Sequence, residues 1–136
     1  MYKKILVPLA LNHGISEQTL AVAHALCAKG GEITALHVFE LPQGTVSTIM
    51  GEETIQNGLI QARKLMQEKV KGMAGVRGEI VRGHAYRSIV DFATENDYEC
   101  IVIGSHKPGL SDYLIGSTAA RVVRHAPCAV HVHRDG

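Results

Sequence analysis

Apolar and polar positions follow two different periods along this chain. Short, nearly unbroken apolar runs alternate with longer segments in which apolar residues recur every three or four positions. The first run, Lys4 to Leu9 (KILVPL), predicts a strand covered on both faces, since a half-exposed strand would alternate polar and apolar residues. Pro8 has no N–H for a strand ladder, so we expect it at the carboxyl end of this strand.

The same two periods predict the remaining elements. Further strands are predicted over Ile33 to Phe39, Glu79 to Arg82, Glu99 to Gly104 and Cys128 to His133. Helices are predicted from Ser16 to Gly30-Gly31, from about Gly51 to Lys71, from Ala85 to Asn96 and from Leu114 to His125. The stretch from Glu40 to Met50, which contains Pro42 and Gly44, has the composition of a loop.

Two helices have faces that the spacing predicts in detail. Ser16 is a suitable N-cap for the first helix, and Gly30-Gly31 is typical of a helix end. The predicted inward residues of this helix are Leu20, Ala23, His24, Cys27 and Ala28. Those of the second helix are Ile55, Leu59, Ala62, Leu65, Met66 and Val70.

Strands that alternate with helices predict an α/β fold in which right-handed crossovers build a parallel sheet with helices on both faces. The chain has no internal repeat or low-complexity tract, and its length suits one domain over residues 1–136. In a five-stranded, doubly wound sheet, strands one and four are neighbours where the strand order reverses. Ligands bind beyond the carboxyl ends of the strands at that point, which places Pro8, Leu9 and Ala10 beside Gly104.

Composition and charge restrict the classes of partner. A net charge of +1 offers no broad basic field, so neither nucleic acid nor an anionic membrane is expected as a partner. No apolar run reaches the length of a transmembrane helix, and the apolar run after Lys3 and Lys4 is too short for a signal peptide. Three cysteines in apolar contexts, Cys27, Cys100 and Cys128, predict reduced, buried thiols in a cytoplasmic protein.

The segment GSHKPGLSDYLIGST, residues 104–118, carries the clearest candidate chemistry. Gly104 allows close backbone approach, and Gly109 after Pro108 allows a tight turn. Gly116 precedes a helix start at which the N–H groups and hydroxyls of Ser117 and Thr118 favour an anion.

His106 and Lys107 in the same segment can add positive charge, so the segment is a candidate phosphate site. It is neither a Walker loop nor a GxGxxG fingerprint. Gly-Ser-Thr is equally common as a helix cap and Pro-Gly as a surface turn, so both interpretations stay open at this point.

Metal and nucleophile chemistry find less support. His131 and His133 share one face of the last strand and His125 ends the preceding helix, but no ligand with zinc-type spacing joins them. Ser105 and His106 are adjacent and lack an orienting third group. Asp112 is a candidate ligand for a metal on the phosphates, and a helix cap is the alternative.

Several segments together resemble the universal stress protein family. They are the strand end VPL, the strand end LHV, the segment GHAYRSIVDFA and, above all, GSHKPGLSDYLIGSTAARVVRHAPCAV. The resemblance covers essentially the whole chain. It implies a Rossmann-like sandwich of the adenine nucleotide alpha hydrolase-like kind, a homodimer that pairs through the last strand, Cys128 to His133, and a choice between nucleotide-binding and non-binding branches.

The nucleotide-binding branch carries the pattern G-x2-G-x9-G-S/T, which this chain matches in part. Gly104 matches the first glycine, and Gly116-Ser117 match the final pair. Lys107 stands in place of the second glycine, Gly109 follows two residues later, and the next interval is one residue shorter. Ala10 stands where nucleotide binders of the family commonly have an acidic residue.

By resemblance, the adenine lies near Pro8, Leu9 and Val38, while ribose and phosphates follow Gly104, Ser105, Gly109, Gly116, Ser117 and Thr118. His84 is a candidate for the rim of the site.

The implied function is a dimeric stress sensor or switch that binds ATP, or ADP or AMP, with Mg²⁺ as a candidate companion and an unidentified protein partner. The alternatives are an interaction module of the same fold that binds no nucleotide, and a slow ATP hydrolase using Asp112 or His106. Val46, Ile49, Met50 and Ile55 either pack on the sheet or form a lid.

Overall fold

The computed structural model describes residues 1–11, 15–40, 51–105 and 116–134. In these ranges, strands and helices alternate along the chain. The strands are β1 (Tyr2–Pro8), β2 (Cys27–Glu40), β3 (Val76–Gly83), β4 (Cys100–Gly104) and β5 (Ala129–His133). The helices are α1 (Glu17–Leu26), α2 (Glu52–Lys71), α3 (Ala85–Glu95) and α4 (Ser117–His125).

The strands form one parallel sheet in the order β3-β2-β1-β4-β5. β1 is central and pairs with β4 through Ile5–Cys100 and Leu6–Ile101. The predicted neighbourhood of the first and fourth strands is therefore confirmed, as is the position of Pro8 at the last residue of β1. The point at which the strand order reverses lies between these two strands.

Helices cover both faces of the sheet, and this explains why β1 reads as an unbroken apolar run. Ile5 and Val7 pack with Ala23 of α1 on one face. Leu6 packs on the other face, with residues of α3 and α4. All three β1 side chains are fully buried, as expected for a strand enclosed on both sides.

The face under α3 and α4 contains a buried polar contact. Tyr98, which precedes β4, donates a hydrogen bond of 2.7 Å from its hydroxyl to Oγ1 of Thr34 in β2. Both side chains are buried, so the bond gives the Tyr98 O–H an acceptor within the protein. The contact fixes the start of β4 across the sheet.

The end of the first helix differs from the prediction. α1 stops at Leu26, and Cys27 is already extended (φ −76°, ψ 130°) and pairs with Tyr2. Gly30 has φ +79°, and a Cβ on Gly31 would lie 2.9 Å from the carbonyl oxygen of Lys3. The two glycines therefore let β2 pass closely beside β1, and they do not end a helix.

Two of the predicted inward side chains point outward. His24 of α1 is exposed, because the buried positions of this helix are Thr19 and Ala23. Leu65 of α2 is 39% exposed, although its neighbour Met66 is fully buried. Adjacent helical residues point about 100° apart, so only one of two neighbouring apolar residues can face the sheet.

The third strand begins earlier than the sequence predicts. Val76, Arg77 and Gly78 pair with β2 ahead of the predicted start at Glu79. Arg77 and Gly78 are not apolar, so the sequence contains no strand pattern at this point. These residues are extended because they pair with β2.

The predicted loop residues Pro42 and Gly44, and the candidate lid residues Val46, Ile49 and Met50, lie outside the described ranges. Ile55 is buried in α2 and packs on the sheet side.

The cysteines are less uniformly buried than predicted. Cys100 is buried, whereas Cys27 and Cys128 are partly exposed, and all three are free thiols. Burial raises the pKa of the thiols of Cys100 and Cys128, which keeps both protonated at neutral pH.

Candidate functional site

The carboxyl ends of β1, β2 and β4 meet at one edge of the sheet. The N–H of Leu9, just after β1, donates a hydrogen bond of 2.9 Å to the carbonyl oxygen of Leu36. The carbonyl oxygen of Leu9 lies 3.1 Å from Nδ1 of His37. Continuing the pairing of Leu6 with Ile101 brings Leu9 level with Gly104. The predicted floor of the site is therefore assembled from adjacent strand ends.

Ser105 joins this edge to the last strand. Its N–H donates to the carbonyl oxygen of His133 at 3.0 Å, and its hydroxyl donates to the same oxygen at 3.5 Å. Ser105 is only 7% exposed, and its hydroxyl contacts the carboxyl end of β5. Its carbonyl oxygen lies on the side of Gly116.

The glycines on either side of the candidate phosphate segment have few close neighbours among the described residues. A Cβ on Gly104 would have Oγ1 of Thr19 as its nearest neighbour, at 3.9 Å, and a Cβ on Gly116 would lie 3.9 Å from the carbonyl oxygen of Ser105. Neither glycine has a positive φ. Within the described residues, a Cβ at either position would therefore meet no atom closer than 3.9 Å.

The four described helices differ in how their amino ends are satisfied. Oγ of Ser16 accepts the N–H of Thr19 at 3.1 Å and caps α1. A carboxylate oxygen of Glu40 accepts the N–H of Ala85 at 3.3 Å at the start of α3, and α2 has Glu52 and Glu53 in its first turn.

The amino end of α4 has no comparable group among the described residues. Its N-cap is Gly116, which has no side chain to accept a hydrogen bond, and its first turn contains no acidic residue. Helix N–H groups without a partner, together with the helix dipole, attract an anion. Of the four described helix starts, this one is best suited to bind one.

An open cleft of about 720 Å³ connects the starts of α3 and α4. The residues that line it come from both helix starts and from the end of β2: Glu40, His84, Ala85, Tyr86, Arg87, Ser117, Thr118 and Arg121. The cleft therefore contains two residues of the predicted phosphate site, together with two arginines from separate helices.

Tyr86 organises the positive charge in this cleft. Nε of Arg87 donates a hydrogen bond of 3.2 Å to the Tyr86 hydroxyl, and the guanidinium of Arg121 lies 5.4 Å from the centre of the Tyr86 ring. The hydrogen bond from Arg87, helped by the charges of both arginines, lowers the pKa of Tyr86. Two guanidinium groups from different helices therefore lie at Tyr86.

The structure brings together part of the predicted site. Ser117 and Thr118 line the cleft, as does the rim candidate His84. Pro8, Leu9 and Val38 end the neighbouring strands, with Leu9 and Val38 buried and Ala10 exposed. His106, Lys107, Gly109 and Asp112 were predicted at the site or as a metal ligand, and they lie outside the described residues.

Sequence reasoning did not identify five of the cleft residues: Glu40, Ala85, Tyr86, Arg87 and Arg121. Arg121 follows Ser117 by four residues, so helical spacing alone would have placed it on the same face. Tyr86 and Arg87 enter only through the packing of α3 beside α4, for which the local sequence contains no signal.

The histidines of the last strand lie side by side. The rings of His131 and His133 stand 6.2 Å apart, centre to centre, which confirms that they share one face of β5. Within the described ranges, no three His, Cys, Asp or Glu side chains are grouped so that they could hold a metal ion. No helix in those ranges has the length and apolar character needed to cross a membrane.

Comparison with known proteins places these features in a family. The model of the universal stress protein family matches residues 1–134. A universal stress protein of Methanothermobacter thermautotrophicus is 30% identical to this chain, and the match covers 98% of this chain and 97% of that one.

Solved structures have the same fold. The hypothetical protein MJ0577, whose biochemical function was assigned from its structure, is 28% identical with a TM-score of 0.74, and the match covers 100% of this chain and 98% of that one. A universal stress protein from Archaeoglobus fulgidus in complex with dAMP is 24% identical with a TM-score of 0.57, and the match covers 96% and 97% of the two chains.

Proposed function

We propose that this chain, which belongs to the universal stress protein family, binds an adenine nucleotide at the carboxyl edge of its sheet and acts as a dimeric stress sensor or switch in the cytoplasm. One observation carries the proposal. Among the described residues, α4 starts at Gly116 without a capping side chain or an acidic first turn, whereas α1 and α3 have first-turn N–H groups accepted by Ser16 and Glu40. A phosphate would supply the missing acceptor.

The adenine and the phosphates would occupy adjacent parts of this edge. The base would lie against the ends of β1 and β2, at Pro8, Leu9 and the backbone of Val38. The phosphates would take the space beside Gly104 and the N–H groups at the start of α4. Ser105 would contribute through its backbone, because its hydroxyl is directed to His133.

ATP, accompanied by Mg²⁺, is the nucleotide we propose, with ADP or AMP as related ligands. The dAMP bound to the relative from Archaeoglobus fulgidus supports the choice of an adenine nucleotide. Ala10 provides no carboxylate for the ribose or a metal, so we expect the backbone donors at α4 to carry most of the affinity.

Equilibrium binding of labelled ATP tests this function directly. We expect saturable binding at submillimolar nucleotide, competition by unlabelled ATP, and an adenine nucleotide among the small molecules released from freshly purified, heat-denatured protein. Absence of binding at millimolar ATP would contradict the proposal, and the interaction module that binds no nucleotide would replace it.

We further propose that two copies of the chain, each a single domain over residues 1–136, pair through β5. β5 is an outermost strand of the sheet, next to β4 alone, and the backbone groups on its other side are open to pairing with a second copy. Nucleotide would favour one state of the dimer only if that state binds it more tightly.

His131 and His133 make pH a test of this pairing. Histidine gains a positive charge as the pH falls below neutrality, and like charges along two paired strands repel. We expect sedimentation to give a dimer at pH 8 and a larger monomer fraction at pH 5.5. The double variant H131Q/H133Q should behave alike at both pH values, and wild type with the same distribution at both would remove the histidines from the mechanism.

A further inference from the structure

Two arginines in the cleft between α3 and α4 form no salt bridge in the described part of the chain, although the charge of Asp91, one turn along α3, acts on Arg87. The salt bridges found there involve Lys4, Arg77 and Arg82, and neither Arg87 nor Arg121 joins a carboxylate. Both side chains are exposed, so each is available to an anion from solution. Their nearest ordered contact is the ring and hydroxyl of Tyr86.

Arg121 is positioned to extend the anion site at the start of α4. It follows Ser117 by one helical turn, about 6 Å along the helix axis at a rise of 1.5 Å per residue. Helical side chains lean toward the amino end of their helix, which directs the guanidinium of Arg121 back toward Ser117 and Thr118. All three residues line the same cleft.

The opposite wall limits what the cleft accepts. Glu40 also lines it, but its carboxylate already accepts the N–H of Ala85 at the start of α3. The cationic groups thus lie around Tyr86, with Arg87 on α3 and Arg121 on α4. A ligand held by the first N–H groups of α4 would find its next positive partner at Arg121.

We propose that Arg121, supported by Arg87 and Tyr86, forms a subsite for the distal phosphates of the nucleotide, so that this protein prefers nucleoside triphosphates to monophosphates. The inference rests on the proposed function, because it needs the first phosphate at the start of α4. Arginine suits this role because its planar guanidinium donates two hydrogen bonds to one phosphate. A monophosphate would leave the subsite empty.

Calorimetric titration with ATP and with AMP at one ionic strength tests the subsite. We expect wild type to bind ATP more tightly than AMP, and Arg121→Gln to weaken ATP about tenfold while AMP changes less than about twofold. Arg63→Gln is the matched control, since Arg63 is exposed on α2, changes the net charge equally and does not line the cleft. It should leave both affinities within about twofold of wild type.

A second variant guards against an indirect effect of Arg121→Gln on the fold. Arg87→Gln, on the other helix, should also weaken ATP selectively, and both variants should keep the wild-type melting temperature. Equal losses for ATP and AMP, an equal effect of Arg63→Gln, or a wild type without preference for ATP would overturn the subsite while nucleotide binding stands. A wild type that binds neither nucleotide would overturn the proposed function, and the subsite with it.

Discussion

Gly116→Val is expected to weaken ATP binding about 100-fold or more, equivalent to about 2.8 kcal/mol, while the domain stays folded. The valine side chain would enter the space between the carbonyl oxygen of Ser105 and the start of α4, where we place the phosphate. Its Cβ meets that oxygen at 3.9 Å, an ordinary contact, and φ −59° with ψ 151° is open to any residue. Equilibrium binding, with the melting temperature measured alongside, checks both halves of the expectation.

Gly72→Val is the matched control for this experiment. Gly72 ends α2 at the opposite edge of the sheet, has φ −85°, and would place its Cβ 4.0 Å from the nearest atom, the carbonyl oxygen of Lys69. It should leave the affinity for ATP unchanged. Retained affinity in folded Gly116→Val would exclude the start of α4 as the phosphate site.

The second large effect is expected at Gly31, where substitution by alanine should reduce the free energy of unfolding by about 2–3 kcal/mol. The added Cβ would lie 2.9 Å from the carbonyl oxygens of Ala28 and Lys3 and from Sγ of Cys27. Two of these atoms belong to the backbone, so β2 would have to move away from β1. Urea unfolding monitored by circular dichroism measures the change, and the melting temperature should fall by roughly 10 °C.

The neighbouring glycine supplies the control. Gly30 has φ +79° but no atom within 4 Å of a Cβ at that position. Gly30→Asn should therefore cost less than about 1 kcal/mol, because asparagine tolerates a positive φ. If Gly31→Ala unfolds at the wild-type urea concentration, the close passage of β2 beside β1 is wrong.

The sequence was sufficient for the architecture because the sheet is enclosed. β1 and β4 are buried on both faces, so their apolar runs are continuous and easily recognised. The pattern failed where backbone pairing decides the conformation, at Gly30-Gly31 and at the start of β3. Glycine there marks a close approach between strands, and the same residue type is equally common at a helix end.

Prediction of the candidate site reached the residues that follow one another along the chain and missed those that meet through packing. Gly104, Gly116 and Ser117 belong to one recognisable segment. Glu40, at the end of β2, accepts the N–H of Ala85 at the start of α3, although the two residues are 45 positions apart in the sequence. That contact distinguishes α3 from α4 as an anion site, and no local pattern contains it.

The central position of β1 bears on how the chain acquires its fold during synthesis. Leu6 is covered by residues of α3 and α4 and pairs with Ile101, all of which are translated long after it. A ribosome-bound chain can align β1, β2 and β3, but one side of that three-stranded intermediate remains uncovered and open to aggregation. We expect chains truncated before α3 to need chaperones, and stable folding to require α3, β4 and α4, which cover Leu6 or pair with it.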